Sequence, residues 1–180
     1  MKKVLAFGAS NSKTSINKVL ATYAAQKLKN VQVIIADLND YEAPLYSPDR
    51  EIEIGIPEPI LRFDELLASV DGLIISLAEY NGNYTTAFKN LFDWLSRLNN
   101  QNIWKNKPLL LLATSPGGRG AMNVLKITKE IFPFFGGNII ADFSLPKYYE
   151  NFHEGNITDV SKRAELNGKI VQFIEVLKTS

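Results

Sequence analysis

The sequence predicts an α/β fold in three layers, with a doubly wound sheet of five parallel strands covered by helices on both faces. Short apolar runs, typical of strands buried on both faces, alternate with longer segments whose apolar residues recur every three or four positions. The 180 residues are 46% hydrophobic and 22% charged, as in ordinary globular proteins. Because no linker or repeat interrupts the pattern, we expect residues 1–180 to form a single domain.

Each element is predicted from its local pattern, in chain order. Unbroken apolar runs indicate buried strands at 4–7, 31–35, 72–77, 108–114 and 138–143. Helical periodicity indicates helices at 14–29, 61–69, 86–98, 118–132 and 159–178. The segment 39–59 carries several prolines and charges, so we interpret it as a long loop. Five strands alternating with helices favour the flavodoxin-like strand order 2-1-3-4-5, with right-handed crossovers.

The composition excludes several kinds of chemistry. The chain has no cysteine, which excludes disulfides, thiolate metal sites and a cysteine nucleophile. A hydrolase would need His153, the single histidine, but no G-x-S-x-G turn accompanies it, and we expect a surface histidine. The net charge of +1 gives no case for nucleic acid, and no apolar run is long enough for a membrane span or a secretory signal. We therefore predict a cytoplasmic protein.

Ligands of open parallel sheets bind beyond the carboxyl ends of the strands, which selects three loops here. The first loop, residues 8–17, carries hydroxyl and amide side chains and runs directly into a helix. The unpaired N–H groups of a helix N-terminus together with these donors suit a monophosphate. The spacing matches neither a P-loop nor a dinucleotide fingerprint. The alternative interpretation is a plain Ser/Thr-rich helix cap.

The second and third loops also have unusual compositions. The second, residues 78–86, combines two tyrosines with asparagines, which suits a planar heterocycle that both stacks and hydrogen-bonds. Its alternative interpretation is an Asn-Gly turn. The third, residues 114–120, is rich in glycine, so its backbone can approach a ligand closely. Alternatively it is a flexible turn into the following helix.

Together the three loops resemble a known family, the NAD(P)H-dependent FMN reductases of flavodoxin-like fold, which includes azo-, quinone- and chromate-reducing members. The first loop is similar to the family pattern S-x-R-x-x-S-x-N, with Ser12 at the arginine position and Lys13 beside it. The second resembles P-E-Y-N-G followed by L-K-N-x-x-D-W, except that Ala78 and Phe88 replace proline and leucine. The third is similar to S-x-G-G-x-G.

The resemblance implies an enzyme that takes a hydride from NADPH or NADH through N5 of FMN and passes electrons to a small-molecule acceptor, namely a quinone, an azo compound, a free flavin or a metal ion. It also implies a homodimer or homotetramer, with no metal and no catalytic side chain. The implied cofactor-binding residues are Ser10, Ser12, Lys13, Ser15, Ile16, Asn17, Ala78, Glu79, Tyr80, Asn81, Gly82, Ser115, Pro116, Gly117, Gly118 and Arg119. The alternative function is a flavodoxin-type electron carrier without NAD(P)H turnover, but such carriers are strongly acidic and this chain is not.

Overall fold

A computed structural model describes residues 1–98 and 101–179. Its strands are β1 (Lys3–Ala9), β2 (Gln32–Ala36), β3 (Gly72–Leu77), β4 (Glu79–Tyr80), β5 (Asn83–Tyr84), β6 (Pro108–Thr114), β7 (Asn138–Leu145), β8 (Phe152–His153) and β9 (Asn156–Ile157). Its α-helices are α1 (Ile16–Gln26), α2 (Pro48–Ile54), α3 (Glu58–Ala68), α4 (Thr86–Leu95), α5 (Met122–Ile131), α6 (Tyr148–Asn151) and α7 (Val160–Thr179).

The central sheet is parallel throughout, with strand order β2-β1-β3-β6-β7. Counted along the five central strands alone, this is the predicted order 2-1-3-4-5, so the flavodoxin-like α/β fold is confirmed. The middle strands β1, β3 and β6 are buried almost completely. Their continuous apolar runs are explained by helices on both faces.

Two hydrophobic cores cover the two faces of the sheet. On one face, α1 and α7 pack against alternate residues of the central strands, such as Ala6, Ile74 and Leu112. On the other, α3, α4 and α5 pack against the intervening residues, and Trp94 and Trp104 are buried among phenylalanines there. The alternation follows from the two-residue period of a strand.

The long loop predicted at 39–59 is wrong in part, because the segment contains regular structure. Residues 38–41 form a 3-10 helix, and Pro48, Pro57 and Pro59 lie at the starts of α2 and α3, whereas Pro44 lies in an irregular segment as predicted. Pro48 occupies the first turn of α2, where a missing N–H is tolerated, and the Ser47 hydroxyl caps the helix by accepting a hydrogen bond from Arg50 N (3.1 Å). None of the residues of α2 is buried, so this helix has no buried apolar face. The spacing of its apolar residues therefore did not indicate a helix in the sequence.

Two further differences concern the second half of the chain. The helix predicted to start at residue 118 begins at Met122, because Gly120 and Ala121 both have positive φ. The segment before α7 contains α6 and the β8–β9 hairpin, and His153 is exposed on that hairpin as expected. Within residues 1–98 and 101–179, no helix has the length and apolar character needed to cross a bilayer.

Candidate functional site

The three loops meet at the carboxyl edge of the sheet because β1, β3 and β6 are adjacent. Hydrogen bonds tie the loops to one another. The Thr85 hydroxyl at the end of the second loop donates to the carbonyl of Ala9 in the first (2.9 Å). The Asn17 amide at the end of the first loop bonds both backbone groups of Thr114, where the third begins. The edge is therefore one connected structure.

The first loop presents a row of free donors. Ser15 is the N-cap of α1, and its hydroxyl oxygen accepts from Lys18 N (3.2 Å). Within the described residues, the backbone N–H groups of Lys13, Thr14 and Ile16 have no protein acceptor. The hydroxyls of Ser12 and Thr14 lie 3.5 Å apart beside them. Free N–H groups, hydroxyls and the positive end of a helix dipole together suit an anion such as a phosphate.

Gly8 allows α1 to start this close to the sheet. A Cβ atom at Gly8 would lie 2.4 Å from the backbone nitrogen of Lys18 and 2.9 Å from the carbonyl carbon of Asn17. Real Cβ contacts are not that short, and both neighbours are backbone atoms that cannot rotate away. Gly8 therefore determines where the N-terminus of α1 stands relative to β1.

Asn17 is buried, and its amide holds three elements together. Its Oδ1 accepts from Thr114 N (3.1 Å) and from the Ser76 hydroxyl (2.8 Å), while Nδ2 donates to Thr114 O (3.1 Å). These bonds join α1 to the ends of β3 and β6. The structure thus places Asn17 beneath the first loop, where it fixes the position of the donors above it.

The second loop is a tight hairpin between β4 and β5. Asn81 and Gly82 have φ of 53° and 81°, the left-handed conformation that both central residues of a type I′ turn require. The Asn-Gly turn considered from the sequence is therefore present. Tyr80 is 52% exposed at this edge, whereas Tyr84 is buried against Phe88, with its hydroxyl 3.1 Å from Thr128 Oγ1. Of the two tyrosines, Tyr80 is the one accessible to a ligand.

Glu79 connects the second loop to the helix that follows the third. Its carboxylate accepts a hydrogen bond from Val124 N (3.0 Å) in the first turn of α5, and Asn123 Nδ2 lies 3.5 Å away. The residue before α5, Ala121, has no side chain that could cap the helix. Glu79 supplies this cap from another part of the chain, with a negative charge at the positive end of the dipole.

The third loop is anchored through its carbonyl oxygens. Gly117 O accepts from Lys147 N (3.0 Å) and Gly120 N (3.2 Å), and Ser115 O accepts from Tyr148 N (3.0 Å). In the described chain, the N–H groups of Gly117 and Gly118 have no acceptor, and both residues are exposed together with Pro116 and Arg119. The loop therefore leaves backbone donors available to a ligand, as a glycine-rich loop can.

A cavity of about 700 Å³ opens beside the first two loops. Its walls come from the first and second loops, the start of α4, and the segment that follows the 3-10 helix; they are formed by Asn11, Leu38, Tyr41, Glu42, Ala43, Pro44, Leu45, Tyr80, Thr85, Thr86, Ala87, Asn90 and Leu91. This volume lies within the range of small-molecule binding sites. The third loop does not line it, and Lys13 and Ser15 face a separate groove of about 490 Å³ along α1.

The 41–45 segment, which forms one wall of the cavity, is held by hydrogen bonds between α4 and residues 43, 44 and 46. Asn90 Nδ2 donates to Ala43 O (3.0 Å) and Pro44 O (3.2 Å), and Asn90 Oδ1 accepts from Tyr46 N (2.8 Å). The Trp94 indole N–H also donates to Pro44 O (2.8 Å). The Asn and Trp of the motif 88–94 therefore support this wall, while Lys89 and Asp93 pair with each other on the surface (2.7 Å).

A short ion pair braces the base of the first loop. Lys18 Nζ donates to Asp37 Oδ2, joining α1 to the loop that follows β2. The hydrogen bond from Lys18, aided by one from the backbone N–H of Asn39, holds the pKa of Asp37 below its usual range. The Asp37 carboxylate is therefore ionised at neutral pH and fixes the start of the 3-10 helix.

Sequence reasoning selected the three loops but did not assign the 41–45 segment to a cavity of its own chain. The wall has no motif of its own, and its position depends on the tertiary contacts of Asn90 and Trp94. It also missed that Glu79 and Asn17 use their side chains mainly to bind other parts of the protein. Within the described residues, no cluster of His, Asp or Glu could hold a metal ion.

The fold and the site together define a class of protein. In an open parallel sheet of this strand order, the switch point between β1 and β3 is where flavodoxin-like proteins bind FMN. The free donors of the first loop and the exposed backbone of the third fit such a ligand. Residues 2–150 match the NADPH-dependent FMN reductase family, and the chain belongs to that family. It is accordingly an oxidoreductase that uses FMN and NAD(P)H.

Individual relatives agree with this assignment. The chain is 27% identical over 145 residues to a quinone reductase of Escherichia coli, covering 75% of this chain and 77% of that protein. It is 28% identical over 123 residues to an NADPH azoreductase of Bacillus, covering 68% and 64%. Among solved structures, the flavoenzyme NAD(P)H:(acceptor) oxidoreductase FerB of Paracoccus denitrificans is similar with a TM-score of 0.77 and 28% identity, over 99% of this chain and 98% of that one.

Proposed function

We propose that this protein transfers a hydride from NAD(P)H to FMN and from there to a small organic acceptor such as a quinone, an azo compound or a free flavin. The observation that carries this proposal is the set of free backbone donors on the first and third loops, which Asn17 joins through its hydrogen bonds to Thr114. FMN, when bound, supplies the hydride chemistry at its N5 atom. The protein residues then have to bind and orient FMN, NAD(P)H and the acceptor and to exclude water from them. No titrating side chain is needed for those tasks.

We assign the phosphate to the first loop. The N–H groups of Lys13, Thr14 and Ile16, the Ser15 hydroxyl and the Lys13 ammonium group supply donors and positive charge there. Lys13 is exposed and adjoins the position where the family has an arginine. A lysine acts as a point charge and lacks the two parallel donors of an arginine, so most of the specificity falls to the backbone.

We assign the heterocycle to the second and third loops. The exposed ring of Tyr80 offers an aromatic face, and the N–H groups of Gly117 and Gly118 offer donors for negative charge that develops on the reduced ring. Donors held in place before the reaction stabilise such charge better than mobile water does. Glu79 and Asn17 act as positioning residues, because Glu79 binds the first turn of α5 and Asn17 binds the ends of β3 and β6, from which the loops leave.

The phosphate assignment is tested by titrating FMN and riboflavin, which differ only in the phosphate, into the flavin-free protein. Lys13→Gln is expected to weaken FMN binding about tenfold and to leave riboflavin binding unchanged. The control is Lys29→Gln, an equally exposed lysine beyond the opposite end of α1. Equal losses for both flavins, or for both variants, would show that the Lys13 side chain does not bind the phosphate. An affinity for FMN no higher than that for riboflavin in the wild type would show that the first loop does not hold the phosphate.

The hydride assignment is tested with the anaerobic visible spectrum of the FMN-bound protein. Rapid bleaching on addition of NADPH or NADH, faster than with free FMN, is the expected result. A flavin band that is perturbed by the protein but stays oxidised with both nucleotides would instead indicate an electron carrier.

We also propose a homo-oligomer. Exposed apolar side chains cluster on and near α2, where Ile52 is 86% exposed and Leu45 is 72% exposed, and a second copy of the chain would cover them. Light scattering after gel filtration gives the mass directly. A monomeric wild type would refute this proposal, and Ile52→Glu is expected to weaken the assembly if α2 lies in the interface.

A further inference from the structure

The cavity beside the first two loops has one feature that the family motifs do not address, namely the charge of its walls. Among the described residues that line it, Glu42 is the one charged side chain. The other walls are apolar, aromatic or neutral polar, with Leu38, Leu91 and Ala87 on the apolar side. Glu42 is therefore the one full charge carried by the described wall of the cavity itself.

The charge of Glu42 is not neutralised by a neighbour. Three carboxylates on the surrounding segments form ion pairs, Asp37 with Lys18, Glu51 with Arg97 and Asp93 with Lys89. Asp40, two residues before Glu42, is exposed and has no ion-pair partner among the described residues, so it adds to the negative charge there. In the described part of the chain, Glu42 is exposed and has no hydrogen-bond or ion-pair partner. A carboxylate without a partner at the edge of a cavity attracts cations and repels anions.

The backbone holds Glu42 at this position. Glu42 follows the 3-10 helix directly, and the next two residues have their carbonyl oxygens fixed by Asn90. On the other side, Tyr41 packs edge-on against Phe63 (4.8 Å between ring centroids), with the Arg62 guanidinium over its face (5.4 Å). The backbone of Glu42 is therefore fixed at the cavity wall, and only its side chain is free to move.

A positive field also reaches the cavity, from the N-terminus of α4 at Thr86 and Ala87. A helix end is equivalent to about half an elementary charge, and Thr85 already caps this one by accepting from Phe88 N (3.2 Å). The full negative charge of Glu42 is larger than this partial positive charge of the helix end. The N–H groups at this helix end can donate hydrogen bonds to the carbonyl oxygen of a neutral ligand.

We propose that Glu42 is a specificity-determining residue, which makes this cavity accept uncharged or cationic aromatic electron acceptors and reject anionic ones. The inference rests on the proposed function, since it takes the cavity as the place where the acceptor binds. The flavin phosphate does not conflict with it, because Lys13, Thr14 and Ser15, to which that phosphate is assigned, line a different groove.

A binding measurement tests the cavity without any redox reaction. Neutral 2-naphthol and anionic 2-naphthalenesulfonate are fluorescent, and anisotropy gives their affinity for the protein in its flavin-free and FMN-bound forms. The wild type is expected to prefer 2-naphthol, and Glu42→Gln is expected to strengthen sulfonate binding about fivefold while changing naphthol binding less than about twofold. Salt should weaken the discrimination of the wild type, because it screens the carboxylate.

A kinetic measurement tests the same residue during turnover. The ratio of kcat/KM for 1,4-naphthoquinone to that for its 2-sulfonate should fall about fivefold in Glu42→Gln. Comparing the ratio between variants cancels the difference in reduction potential between the two quinones. The control is Glu130→Gln, which makes the same change of net charge at an exposed carboxylate on α5.

The two measurements separate the possible failures. If Glu42→Gln changes neither ratio by more than Glu130→Gln does, the specificity assignment is wrong, even though the quinones are reduced. If the probes show the charge preference but neither quinone is reduced, the proposed function fails while the assignment of Glu42 to the cavity stands.

Discussion

Replacing Asn17 with alanine removes one side chain that joins three elements, which makes the expected loss of stability large. The substitution leaves Thr114 N, Thr114 O and the Ser76 hydroxyl without their partner, in a region where all three residues are buried. A buried polar group left unsatisfied costs about 1–3 kcal/mol. We therefore expect Asn17→Ala to lower the free energy of unfolding by about 4 kcal/mol, which a domain of typical stability can survive.

The comparison with Ser76→Ala makes this estimate specific. That variant removes a single hydrogen bond and leaves Asn17 Oδ1 bonded to Thr114 N, so the expected loss is about 1 kcal/mol. Urea unfolding of the flavin-free protein, followed by the fluorescence of the buried Trp94 and Trp104, measures both values. In the double variant the Ser76 hydroxyl has no acceptor left to lose, so its removal should cost almost nothing further.

Two results would refute this reasoning. One is a loss for Asn17→Ala no greater than that for Ser76→Ala, which would mean that the three bonds of Asn17 contribute little. The other is strict additivity in the double variant, which would show that Asn17 and Ser76 do not interact.

Three further predictions follow from single contacts. Gly8→Ala should abolish FMN binding and lower the free energy of unfolding by about 2 kcal/mol or more, because the new Cβ atom would lie 2.4 Å from the backbone nitrogen of Lys18. The control is Gly118→Ala, which has open space around it and should not change stability in the same urea titration. Asp37→Asn should lower the free energy of unfolding by about 1 kcal/mol near neutral pH. Because folding lowers the pKa of Asp37 from its ordinary value of 3.8, the wild type should be the more stable protein above pH 3.8. This difference in stability should vanish as the pH falls through the pKa of Asp37 in the folded protein. Tyr84→Phe should cost about 1 kcal/mol and leave flavin affinity unchanged in a fluorescence titration, because the Tyr84 ring lies in the core; a weakened flavin affinity would contradict this placement.

The strands of the central sheet could be predicted from the sequence because the middle strands are buried on both faces and therefore appear as continuous apolar runs. Two of the five central strands, 72–77 and 108–114, have the predicted bounds, since a continuous apolar run ends where burial ends. Helix boundaries were less accurate where backbone conformation decided them. Ala121 at a φ of 61° delays the start of α5, and no sequence rule predicts a left-handed alanine.

The candidate site was only half predictable, for a related reason. Local composition identified the loops, because free donors and glycines are visible in the sequence. The roles of individual side chains depended on partners far along the chain: Glu79 binds the N-terminus of α5, 45 residues away, and Thr85 binds Ala9, 76 residues away. Such partners become visible only when the strands are placed side by side.

These partners also suggest what the shared motifs of the family preserve. Asn17, Glu79, Asn90 and Trp94 all match the family pattern, and the structure shows each of them hydrogen-bonded to the protein itself. The groups left available for a ligand are chiefly backbone donors, whose chemistry does not depend on the side chain. A motif of this kind specifies the shape of a flavin site and leaves the acceptor open. Differences in acceptor should then arise in segments without a motif, such as the 41–45 wall that carries Glu42.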